Sequence, residues 1–144
     1  MKKITFIGLG VMGFPMAGHL AKEGYNVTVF NRSEEKSKLW IKNHIGTYST
    51  SIKEAVSDSD MVFSCVGNDM DLREITIGPD KAFSSMKPGS VFIDHTTTSS
   101  DIAIELFKKA KELDIHFLDA PVSGGEVGAL KGELTVMIGG ENSI

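Results

Sequence analysis

Cysteine is nearly absent: Cys65 is the single one in 144 residues, which excludes an internal disulfide framework and makes the cytoplasm the default expectation. Basic residues are not in excess either. The formal net charge is −4 and no basic block interrupts the chain, so neither nucleic acid nor an acidic surface is expected as a partner. No apolar stretch approaches the ~20 residues of a membrane span, and the N-terminus lacks a signal-peptide pattern. Internal repeats, low-complexity tracts and linkers are missing as well. His19, His44 and His116 show no metal-ligand spacing, so no metal site is expected. What remains, 41% apolar and 24% charged residues over about one domain's length, is an ordinary globular balance.

The informative stretch is "ITFIGLGVMGFPMAGHL", Ile4 to Leu20. Ile4–Ile7 is a continuous apolar run that fits a strand buried on both faces. Gly8 then permits a tight turn, Gly10 lets a ligand's phosphates approach the backbone, and Gly13 lets the following helix lie close on the strand. A bare G-x-G-x-x-G is weak. One that follows a strand and opens a helix is the context a nucleotide site requires.

Downstream, strand and helix patterns alternate, which predicts an α/β fold with a parallel, doubly wound sheet covered on both faces. The first helix is expected over Met12–Glu23, closed by Gly24, and a second strand over Asn26–Asn31. Ser33 is expected to cap a helix over Glu34–Asn43, which Gly46 ends. A short strand at Thr47–Tyr48 precedes a small helix at Ile52–Ser57. Further strands are expected at Met61–Val66, Val91–Thr96 and Ile115–Ala120, with an amphipathic helix over Ser100–Leu113. "PVSGGEVGALKG" reads as a loop leading to a seventh strand, "ELTVMIGG". The sequence stops at "ENSI", where a covering helix would start. Residues 1–144 therefore read as one dinucleotide-binding domain of a longer protein, cut before its last helix and strand.

Two rival phosphate sites fail on their residues. A Walker loop needs lysine after the last glycine, and Phe14 stands there. The short-chain dehydrogenase pair of Tyr and Lys four residues apart is missing, because Tyr25 and Tyr48 are followed at that distance by Val29 and Ile52. At the end of the second strand, a site for NAD usually carries Asp or Glu for the ribose 2′-OH. Here Asn31, Arg32 and Ser33 offer donors instead, and a guanidinium can grip a 2′-phosphate through two N–H groups. NADP is thus favoured, with NAD possible, and Arg32 as a merely solvated charge stays open.

"GLGVMGFPMAGHL" with "VTVFNRS", "FIDHTTTSS" (Phe92–Ser100) and "DAPVSGGEVGALKGELTVMIGG" (Asp119–Gly140) resemble the β-hydroxyacid dehydrogenase family over essentially the whole chain. Its members include 3-hydroxyisobutyrate dehydrogenases and glyoxylate/succinic semialdehyde reductases. The resemblance implies a Rossmann-type domain whose turn, Gly8, Leu9, Gly10, Val11, Met12 and Gly13, holds the pyrophosphate, with Asn31, Arg32 and Ser33 at the adenosine end. Val66, Gly67 and Thr96 would border the nicotinamide ribose and ring. Ser123, Gly124 and Gly125 would receive a substrate carboxylate, Ser123 also supporting catalysis as a hydroxyl donor. The substrate class implied is a small hydroxy acid and its semialdehyde, and the assembly a homo-oligomer.

The family's proton-transferring lysine and an all-helical second domain would lie beyond residue 144. This chain alone is therefore expected to be inactive. His95 is a conceivable substitute base, although a strand histidine more often packs; Lys131 reads as solvated and Cys65 as a buried strand residue. The alternative to an enzyme is a non-catalytic dinucleotide-binding or interaction module.

Overall fold

The computed structural model describes residues Met1–Ile144. Strand β1 (Lys3–Ile7) runs into the glycine turn, and helix α1 (Gly13–Lys22) returns along the sheet to β2 (Asn26–Phe30). Helix α2 (Glu34–Asn43) and the two-residue β3 (Thr47–Tyr48) complete the first half. The second half repeats the plan with α3 (Ile52–Val56), β4 (Met61–Ser64), α4 (Asp69–Thr76), α5 (Ala82–Ser85), β5 (Val91–Asp94), α6 (Ser100–Glu112) and β6 (His116–Asp119). All six strands are parallel, in the order β3-β2-β1-β4-β5-β6.

Period-2 alternation along β1 explains the two cores. Ile4 and Phe6 point to one face, where they meet Ala17 of α1 and Trp40 of α2. Ile7 points to the other, towards Val56 and Leu72. Thr5 lies on that second face with its hydroxyl satisfied by Ala55 O and Ser59 Oγ, so its burial costs little. Trp40 is fully buried, and its Nε1 donates to Phe14 O at 3.2 Å, which ties α2 to the first turn of α1. The larger core packs Phe83 edge-on against Phe92, with Leu106 of α6 in the same cluster. No helix is long and apolar enough to cross a membrane.

Three expectations need correction. "PVSGGEVGALKG" is not a loop: β7 (Val122–Ser123) is followed by helix α7 (Gly125–Lys131). Its glycines close the helix rather than break it, with Gly124 at φ 136° before it and Gly132 at φ 71° after it. "ELTVMIGG" adds no seventh strand to the sheet. β8 (Thr135–Val136) pairs antiparallel with β7 in a two-stranded ribbon, and the segment touches the main sheet only through an antiparallel bridge of Gly139 to Asp119 at the end of β6. Met137 and Ile138 are at least half exposed, which an inner strand of a parallel sheet would not allow. Finally, Ser33 occupies the cap position of α2 but makes no side-chain cap bond.

Candidate functional site

In the strand order β3-β2-β1-β4-β5-β6 the connections reverse direction between β1 and β4, which opens a crevice at the carboxyl ends of these strands. A cavity of about 500 Å³ lies there, within the range of small-molecule sites. Gly8, Gly10, Val11, Met12 and Gly13 line its floor. The three glycines are required for different reasons. A Cβ on Gly8 would fall 2.2 Å from Cys65 O, and one on Gly13 would fall 1.9 Å from Gly8 O. Gly10 has nothing within 4 Å of that position, so its bare backbone faces open space in the cavity. The amides of Gly10, Val11 and Met12 have no protein acceptor, and Met12 caps α1 with no side-chain bond. Unpaired donors at a helix N-terminus, facing a cleft, suit a pyrophosphate.

Asn31, Arg32 and Ser33 form the next wall. Asn31 is largely committed to the fold: its Oδ1 accepts from Leu9 N at 2.8 Å and its Nδ2 donates to Ser33 O at 3.0 Å. It therefore shapes the turn on which a ligand would lie. Leu9 turns its side chain into the core and offers no surface to the cavity. Arg32 is held only by a loose ion pair, Nη1 to Asp71 Oδ1 at 3.9 Å, and its side chain is 86% exposed. Lys36, in the first turn of α2, lines the cavity on the same side, and Asp71 and Glu74 of α4 and Lys81 line it from the α4 side. Sequence reading missed these four. Lys36 alone had a signal, three residues beyond Ser33 on a helix that starts at the site.

Val66 and Gly67 close the cavity beyond β4, but Thr96 does not reach it. Thr96 is buried and acts from behind, its hydroxyl accepting from Val66 N at 3.0 Å. It donates in turn to Asp94 Oδ1 at 2.7 Å, an oxygen that also accepts from Ser64 Oγ and from Thr96 N. Asp94 Oδ2 is buried with no partner. Burial, outweighing these bonds, raises the Asp94 carboxyl to about 6. Burial also pushes the Cys65 thiol up to about 11, so Cys65 is no nucleophile here. His95 stacks on Phe63 and donates from Nδ1 to Ala120 O at 2.7 Å. Burial lowers its pKa, and it packs just beyond the end of β5.

Asp94 has a measurable consequence. Because folding raises its pKa, the folded protein keeps a proton that the unfolded chain has released. That contribution to stability is complete below the ordinary aspartate range and is lost as pH rises through about 6. Asp94→Asn keeps an acceptor and removes the titration. Between pH 4 and 7.5, wild type should lose about 2.5 kcal/mol relative to the variant in urea unfolding. Parallel stability curves would exclude this account.

Ser123, Gly124 and Gly125 lie outside the cavity, on β7 and the start of α7, exposed at the same carboxyl end of the sheet. Gly124 and Gly125 both have positive φ, which only glycine adopts readily, and this exposes their backbone. The segment is anchored from α1: His19 Nε2 donates to Ala129 O at 2.9 Å and Leu130 O at 3.1 Å, the last carbonyls of α7. A carboxylate could be met there by the Ser123 hydroxyl and neighbouring amides.

A parallel sheet of this order, with a glycine turn at its switch point and donors at the end of β2, defines a Rossmann-type nicotinamide dinucleotide-binding domain. The chain belongs to the family of the NAD binding domain of 6-phosphogluconate dehydrogenase, whose family model matches residues 3–144. It is 50% identical over 143 residues to an uncharacterized oxidoreductase of Shewanella frigidimarina, covering 99% of this chain and 49% of that protein. It is 40% identical over 142 residues to the probable 3-hydroxyisobutyrate dehydrogenase-like 2, mitochondrial, of Arabidopsis thaliana, covering 99% and 47%. The structure of Mycobacterium tuberculosis 3-hydroxyisobutyrate dehydrogenase with L-serine superposes with a TM-score of 0.93 at 32% identity, covering 99% of this chain and 48% of that one. The chain thus spans about half the length of the curated relatives it matches.

Proposed function

We propose that this chain is the cofactor half of a cytoplasmic, homo-oligomeric, NADP-preferring dehydrogenase that interconverts a small hydroxy acid of the 3-hydroxyisobutyrate type and its semialdehyde. The observation that carries the NADP preference is the wall made by Arg32, Ser33 and Lys36, with no carboxylate at the end of β2. The nicotinamide supplies the hydride chemistry when bound. The chain's own residues bind and orient: the amides of Gly10 to Met12 take the pyrophosphate, and Arg32 and Ser33 take the 2′-phosphate. Thr96 and Asp94 hold the Val66–Gly67 loop against the nicotinamide end. Ser123, Gly124 and Gly125 take the substrate carboxylate. No residue of this chain is placed to accept the alcohol proton, since His95 is buried on Ala120 O. In this reading a lysine beyond residue 144 does so.

The test compares the 144-residue chain with the full-length protein in a screen of semialdehydes and glyoxylate with NADPH. The chain alone should bind NADPH and oxidise none of it, while the full-length protein turns over at least one substrate. Steady oxidation by the chain alone would overturn the assignment of the base. Binding without turnover by both would instead support a non-catalytic module.

A further inference from the structure

Asp71 faces the cavity from the first turn of α4, opposite Arg32. Its backbone is anchored and its carboxylate lies between Gly67 and Arg32. Its backbone N–H is held by Asn68 Oδ1 at 2.9 Å, and its Oδ2 sits where a Cβ on Gly67 would be 2.5 Å away. Its Oδ1 turns to Arg32 Nη1 at 3.9 Å. The ion pair therefore bridges two walls of one cavity, and the guanidinium has no other acidic partner to hold it.

We infer that Asp71 is a specificity-determining residue that acts through Arg32: it holds the guanidinium across the cavity, and a 2′-phosphate must displace it. The inference rests on the NADP reading of Arg32 given above. An incoming phosphate exchanges one anionic partner of Arg32 for another, so its net gain is smaller than that of a free guanidinium. NAD(H) presents only a hydroxyl and leaves the pair in place. Asp71 thus sets how far NADP(H) is preferred, and relieving the competition widens the preference.

The experiment is a double-mutant cycle on cofactor affinity, with wild type, Asp71→Asn, Arg32→Gln and the double variant each titrated with NADPH and NADH. Asparagine keeps the shape and the backbone bond to Asn68, and thermal unfolding checks that the fold is kept. An exposed ion pair is worth little, so Asp71→Asn should tighten NADPH only about three- to five-fold, with NADH changing less than about two-fold. In the Arg32→Gln background the same change should do nothing. If the gain persists there, Asp71 acts by direct repulsion and the competition is overturned. It is also overturned if Arg32→Gln weakens NADPH selectively while Asp71→Asn leaves it unchanged or weaker. If Arg32→Gln leaves the ratio of the two affinities unaltered, the NADP reading of Arg32 falls, and the competition falls with it.

Discussion

Gly10→Ala and Gly13→Ala are expected to fail in opposite ways. A methyl on Gly13 lands 1.9 Å from the carbonyl oxygen of Gly8 and 3.1 Å from the Phe6 ring, so either the turn or α1 must move. Backbone cannot yield as a flexible side chain would. The expected cost is about 3 kcal/mol or more, a fall in Tm of roughly 10 °C for a domain of this size. Gly10 meets nothing within 4 Å, so alanine there fits the fold and leaves Tm within a few degrees. Its methyl instead enters the space from which phosphates reach the amides of the turn. Both NADPH and NADH should then bind about tenfold more weakly or worse. Thermal unfolding followed by circular dichroism, with cofactor titration on the same samples, separates the two. Undiminished binding by a well-folded Gly10→Ala protein would mean that dinucleotide does not lie on this turn.

Arg32→Asp is expected to exchange one cofactor preference for another. A charge-assisted hydrogen bond contributes roughly 1.5–3 kcal/mol net, so losing it should weaken NADP(H) by about ten- to a hundred-fold. The new carboxylate also repels the phosphate directly. NAD(H) should bind as before or better, because a carboxylate at the end of β2 can accept the ribose 2′-OH. Arg32 lies on the surface with its side chain 86% exposed, so stability should hardly change. Titrating both cofactors into both proteins is decisive. Equal losses for NADP(H) and NAD(H), or equal affinities in wild type, would make Arg32 a surface charge.

The sheet was largely legible because its strands obey short-range rules. Ile4–Ile7 and Val91–Asp94 are apolar runs bounded by turn signals, and α2 lies over Glu34–Asn43 as its acidic first turn indicates. The segment after β6 was not legible. Gly125 and Gly128 argue against a helix by propensity, yet α7 forms, capped by Gly124 and Gly132 and contacted at Ala129 O and Leu130 O by His19, more than a hundred residues earlier in the chain. The same distinction runs through the site. Gly8, Gly10 and Gly13 declare themselves by spacing, whereas Asp71 reaches Arg32 only once β4 lies beside β1. That the Thr96 hydroxyl is spent between Asp94 and Val66, behind the cavity lining, shows in no local pattern.

The strand order also dictates how the molecule must assemble in time. β1 precedes the other strands of the sheet in the chain and lies in the middle of that sheet, flanked by β2 on one side and β4 on the other. Ile4 can pair with Val27 soon after both leave the ribosome, but its other neighbour, Met61, follows only after the whole first half has been made. Until then β1, whose residues Ile4 to Ile7 are all buried in the finished fold, has one open edge. Closing that edge requires a longer loop than the β1–β2 pairing does, and so costs more chain entropy. The glycine turn is completed by the same docking: Gly8 meets the carbonyl of Cys65 only once β4 lies beside β1.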